Sequence, residues 1–216
     1  MFIGHYAVGF GSKKAEPKIS LGTYFMAAVF LDLLWPLFLL LGIEHVKIES
    51  GNTPMTPLNF YDYPFSHSLL MAIVWAILFG GIYYLIKKNK KGSIILGLVV
   101  FSHWVLDFIS HRPDLAIAPG VNTYLGLGLW YSIPATITLE TLLFATGIFL
   151  YLKVTKARNK TGSFALWGFI LLAFIIYISN AFSPPPPGVK ALEYTALGQW
   201  LFVAWGYWID KHRTSV

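Results

Sequence analysis

The sequence predicts an all-α, polytopic membrane bundle of about six transmembrane helices, with a short N-terminal segment that either re-enters the bundle or lies at its interface. Three observations carry this. Only 12% of the 216 residues are charged, about half the roughly 25% of an ordinary soluble domain. Apolar residues make up 56% of the chain, and they come in long blocks separated by short charged or proline-rich breaks. Those blocks have the length of about 20 residues that a helix needs to cross a hydrocarbon core of about 30 Å. An aromatic content of 17% argues against disorder, and the absence of cysteine excludes a disulfide scaffold, thiolate metal sites and cysteine nucleophiles.

Taken in order, the predicted spans cover residues 19–42, 67–86, 93–110, 133–152, 163–182 and 192–209, within a single membrane domain of residues 1–216. Basic residues bound them unevenly. Lys13, Lys14 and Lys18, the run Lys87-Lys88-Asn89-Lys90-Lys91, the segment from Lys153 to Lys160, and the tail with Lys211 and Arg213 fall on one side of a six-span chain. Only Lys47, Arg112 and Lys190 fall on the other. The positive-inside rule then places both termini in the cytoplasm of a bacterial inner membrane. The same asymmetry accounts for the net charge of +6 without nucleic acid. No cleavable signal peptide is expected, because the apolar run in residues 1–10 is short and lacks a basic start. Residues 183–188 hold four prolines and read as a stiff turn. Trp35, Trp130, Tyr131, Trp200, Trp205 and Trp208 near span ends read as interface anchors.

Ionisable side chains inside a span cost about 2.5–3.5 kcal/mol each on insertion scales. Asp32 lies in the first predicted span, His103 and Asp107 in the third and Glu140 in the fourth, with His67 and His111 at the outer ends of spans. His103 and Asp107 are four residues apart, about one helical turn or ~6 Å along one face, a spacing that can chelate one ion. His111 repeats the interval but lies ~12 Å from His103 on a regular helix. Either it contacts substrate, or the helix unwinds before Pro113 and a second ion is held. Zinc suits imidazole with carboxylate, and His67 and Asp32 from neighbouring spans would complete a mixed site with room for water. The alternative is a polar network that fixes helix packing, a reading favoured for Glu140. Asp210 and His212 read as interfacial and His45, beside Glu44 and Lys47, as solvated. His5 belongs either to an interfacial segment or to a half-helix inserted in the bundle.

These residues resemble the bacterial membrane-bound metal-dependent hydrolases. The likeness rests on His5 near the N-terminus, Asp32 in an early apolar stretch, Ser66-His67-Ser68 opening a span, and His103 to Asp107 on a later one, in that order, over roughly residues 1–115. The chain departs from the family pattern in having Asp32-Leu33-Leu34-Trp35-Pro36 where a second acid and a histidine are usual. The basic residue that often precedes the Ser-His-Ser motif is also missing from Tyr63-Pro64-Phe65-Ser66. The resemblance implies that His5 is a site member.

The expected function is therefore a membrane hydrolase with a divalent metal, zinc first, held by His5, Asp32, His67, His103 and Asp107 towards the outer face. Asp32 or His111 is the expected general base and Arg112 the partner of a phosphate. The expected substrate is an ester or phosphoester, lipid-linked because such a molecule reaches a buried site laterally from the bilayer. The alternative is an ion- or proton-coupled transporter that uses the same His and Asp residues.

Overall fold

A computed structural model describes residues 1–216. The chain is helical throughout its apolar blocks. Four helices are long and apolar enough to cross a membrane: α5 (Leu69–Lys87), α6 (Lys90–Ser110), α7 (Ile133–Val154) and α8 (Lys160–Phe182). Before them come α1 (Ile3–Ser12), α2 (Leu21–Ala28), α3 (Phe30–Leu40) and the single turn α4 (Pro64–His67). After them come α9 (Val189–Leu197) and α10 (Gln199–Lys211). Each long helix starts where a side chain accepts a free first-turn N–H. Ser68 caps α5 at Met71, Asn89 caps α6 at Gly92, Ser132 caps α7 at Ala135 and Asn159 caps α8 at Gly162. Lys88, in the left-handed region at φ 52°, ends α5 and turns the chain into α6.

Two of the six predicted spans are corrected. Residues 19–42 form a broken pair, α2 and α3, bent by 56° at Val29. With that pair counted as one, five segments are long and apolar enough to cross a membrane. Residues 192–209 do not form one continuous helix: the segment divides at Gly198 into α9 and α10, Glu193 and Gln199 interrupt its apolar run, and it returns the chain from the end of α8 to β6 beside β5. The lipid-facing surface is apolar, with Ile77, Leu85, Ile86, Leu142, Phe149, Phe164 and Leu171 exposed on the long helices.

The N-terminal segment is not interfacial. Ile3, His5, Tyr6, Ala7 and Phe10 of α1 are all buried, and the helix packs against α7, α2, α6 and α8. Its seat on α7 is backbone against backbone: a Cβ at Gly147 would collide with the Ala7 peptide. Glu140 of α7 accepts hydrogen bonds from the backbone N–H of Phe2 (2.9 Å) and Gly4 (3.1 Å), which satisfies donors at the start of α1. Packing is thus the role the structure gives Glu140. A buried donor left without a partner costs about 1–3 kcal/mol. Glu140→Ala is therefore expected to lower the thermal midpoint in detergent, and Glu140→Gln, which keeps an accepting oxygen, to lower it less.

Short antiparallel strand pairs close the two ends of the bundle. At one end, β1 (His45–Ile48) pairs with β2 (Leu58–Asp62) and β3 (Leu115–Ala116) with β4 (Tyr124–Leu125). At the other, β5 (Thr155–Ala157) pairs with the C-terminal β6 (Arg213–Ser215). There Lys13 bonds Asp210 (2.8 Å), Lys91 approaches Glu16 (3.5 Å) and Ser215 bonds the Pro17 carbonyl (3.1 Å). The four basic segments therefore share one rim. Met1 does not join them, because α1 begins inside the bundle at Glu140 and only its far end reaches Lys13 at the rim.

Candidate metal centre

His103 and Asp107 lie in the last two turns of α6, both buried, with His103 Nε2 3.1 Å from Asp107 Oδ2. The bend after α2 brings the Ala28 carbonyl 2.8 Å from His103 Nδ1. A carbonyl only accepts, so Nδ1 carries the proton and Nε2 of the neutral ring presents its lone pair to a carboxylate. Acceptor faces acceptor there, and such an arrangement calls for a cation between the two or a second proton on the ring.

Three more imidazoles aim Nε2 at the same two carboxylates. His67 sits where α4 breaks into α5, with Nε2 3.5 Å from Asp32 Oδ1 and 3.8 Å from Asp107 Oδ2. Asp32, in the first turn of α3, also lies 3.7 Å from His103 Nε2. His5 of α1 reaches Asp107 Oδ1 at 3.2 Å and stacks on His103, ring centroids 3.7 Å apart and planes within 1°. His111 follows α6 in extended conformation, and its Nε2 stands 3.9 Å from Asp107 Oδ1. The helix thus ends before Pro113, and the ~12 Å expected between His103 and His111 on a regular helix does not keep His111 away. The Met1 α-ammonium also lies against Asp107 Oδ1, a positive charge among the carboxylates.

Outer partners hold two of these rings as carbonyl Ala28 holds His103. His67 Nδ1 bonds Ser66 Oγ (2.6 Å), and the Ser66 hydroxyl donates to Glu44 Oε2 (2.7 Å). Glu44 Oε1 accepts the backbone N–H of Phe65 (2.8 Å) and Ser66 (2.7 Å). Burial pushes the Glu44 carboxyl above its ordinary value, against the pull of the Ser66 hydrogen bonds. His111 Nδ1 meets Asp114 Oδ1 (3.0 Å), which also accepts from the Tyr63 hydroxyl (2.8 Å). Burial first, and Asp114 second, keep the Tyr63 phenol protonated well above its usual range, so it stays a donor. This pattern of a carboxylate or carbonyl on the far nitrogen is how proteins orient imidazole ligands.

The fold therefore gathers His5, Asp32, His67, His103 and Asp107 from α1, α3, the α4–α5 junction and α6, with His111 beside them. Arg112 is turned away: its guanidinium bonds Asp114 Oδ2 (3.3 Å) and Asn59. His45 pairs with Asp62 on the surface. Glu44, Tyr63 and Asp114 were not legible as outer partners, although the interval from His111 to Asp114 suits a tight turn. His5, His103 and Asp107 form one group whose ligand atoms all lie within 4.8 Å of one another, and Asp32, His67 and His103 form a second.

No curated protein and no solved structure matches this chain. A family model does, over residues 64–183, from the start of α4 to just past the end of α8. The match starts after His5 and Asp32 and runs well beyond residue 115, where the resemblance read from the sequence ends. It describes an inner membrane protein and names no reaction. More than half of the chain is covered, His67, His103, Asp107 and His111 included, and the chain belongs to the YdjM inner membrane protein family.

Proposed function

We propose that this inner-membrane protein is a metal-dependent hydrolase whose divalent ion, zinc for preference, is held by Asp32, His67, His103 and Asp107. The observation that carries the reading is the His103 ring, which a carbonyl fixes at Nδ1 while its free Nε2 faces Asp107. Two imidazoles and two carboxylates make a mixed N/O set suited to zinc. Such an ion lowers the pKa of bound water to about 7 and polarises an ester or phosphoryl oxygen.

The chain's own residues then divide the work. Asp32 has a side chain 21% exposed, the most accessible of the cluster, so it is the member placed to exchange a proton with solvent or substrate. Ser66 and Glu44 hold the His67 proton on Nδ1. The aromatics Tyr6, Phe10, Phe25 and Phe169 pack edge to face beyond His5, towards the basic rim. That packing supports a site closed on one side and weighs against an ion path through the bundle. With the basic rim cytoplasmic, the cluster lies in the outer half of the bundle, the half that a lipid or lipid-linked ester would reach laterally from the outer leaflet.

The test is elemental analysis of the detergent-purified protein, joined to hydrolysis of chromogenic esters and phosphoesters with and without chelator. Bound zinc or a similar ion, and hydrolysis that chelation abolishes and zinc restores, are expected. A chain that takes up no metal even when zinc is supplied overturns the reading. Glu44→Gln should still bind metal at saturation but about 10–100-fold more weakly, as loss of an outer partner does elsewhere, measured by competition with a fluorescent zinc chelator.

A further inference from the structure

We propose that the cluster holds two ions rather than one, with Asp107 as the bridge and His5 and His111 completing the second position; this rests on the reading of the cluster as a metal centre. The two Asp107 oxygens face different partners. Oδ2 faces His103 (3.1 Å) and His67 (3.8 Å), which share Asp32 Oδ1. Oδ1 faces His5 (3.2 Å) and His111 (3.9 Å).

The stacked rings of His5 and His103 show why one ion does not serve them all. An imidazole binds metal through a lone pair in the plane of its ring. The two planes are parallel within 1° and the centroids 3.7 Å apart, so an ion between the two nitrogens would stand out of both planes. Each ring in good geometry addresses its own ion. Two ions separated by about the stacking distance match the ~3.5–4 Å of known two-metal sites. His103 has only Nε2 to give, because Nδ1 is bonded to Ala28, so it cannot bridge. The carboxylate of Asp107 can.

His111 is oriented for the second position through Asp114 and Tyr63, as His67 is for the first through Ser66 and Glu44. A pair of ions can clamp both the attacking and the leaving oxygen of an in-line displacement, a geometry that a phosphoester substrate would use.

The experiment is metal stoichiometry of the full chain after saturation with Zn²⁺ and desalting, with a parallel Mn²⁺ series read by electron paramagnetic resonance. The unaltered chain should hold two ions and give the spectrum of a coupled Mn²⁺ pair. His5→Gln and His111→Gln, on different elements, should each hold one and give an isolated Mn²⁺ spectrum. One ion in the unaltered chain, unchanged in both variants and magnetically isolated, overturns the second position and leaves the hydrolase reading standing. No bound ion in any form overturns both.

Discussion

Replacing Asp107 with Ala should leave a folded helical bundle that holds almost no metal and hydrolyses nothing above background. Asp107 lies within 4 Å of the Nε2 atoms of His5, His67, His103 and His111, so its removal takes an oxygen from both proposed ion positions and leaves Asp32, His67 and His103 as the one remaining ligand group. Changes to outer partners alone cost 10–100-fold in affinity, and the loss of this shared carboxylate should exceed about 100-fold. Circular dichroism checks the fold and elemental analysis the metal. If Asp107 serves only packing, the variant will lose thermal stability while the metal content of the preparation does not change. His103→Ala should lose the ion it shares with Asp32 and His67, since its Nε2 lies within 4 Å of both Asp32 and Asp107.

Gly147→Ala should destabilise the protein by about 1–3 kcal/mol, the usual cost of overpacking a tight interior. Alanine is the better helix former by about 1 kcal/mol, so propensity alone predicts the opposite sign. The added methyl meets the Ala7 backbone, which cannot rotate away. Gly81 supplies the control: a Cβ there has open space around it, and Gly81→Ala should be neutral or slightly stabilising. Thermal unfolding in detergent compares the two. Because α1 carries His5, Gly147→Ala should also weaken the second metal position before it weakens the first.

The long helices were legible because hydrophobic length and a capping residue mark them. Residues 67–86 and 133–152 of the sequence reading fall within two residues of α5 and α7. The break at Val29 carried no such mark. Neither Gly nor Pro stands there, and Pro36 lies inside α3. The bend is tied to a distant contact, the bond from His103 to the Ala28 carbonyl. His103 and Asp107 were legible because charge inside an apolar helix is conspicuous. Glu44 was not, because an acid in a polar loop reads as solvated, and only the folded chain brings the N–H groups of Phe65 and Ser66 against it. The placement of His5 needed the same long-range information, namely Glu140 and Gly147.

That dependence has a consequence for how the protein is made. The partners of α1 on α7 lie more than 130 residues downstream, at Glu140. During synthesis α1 emerges first, yet the surface that receives it does not exist until the third long helix has been completed. Contacts so distant in sequence form late and slowly. A nascent chain that ends at His111 already carries every inward-facing His and Asp of the cluster and the α2 and α6 faces of the α1 dock, and still lacks the α7 face that holds Phe2, Gly4 and Ala7. Assembly of the cluster is thereby a late event of biogenesis, and with the cluster as the proposed metal centre, metal capture would report on whether the whole bundle, rather than its first half, has closed.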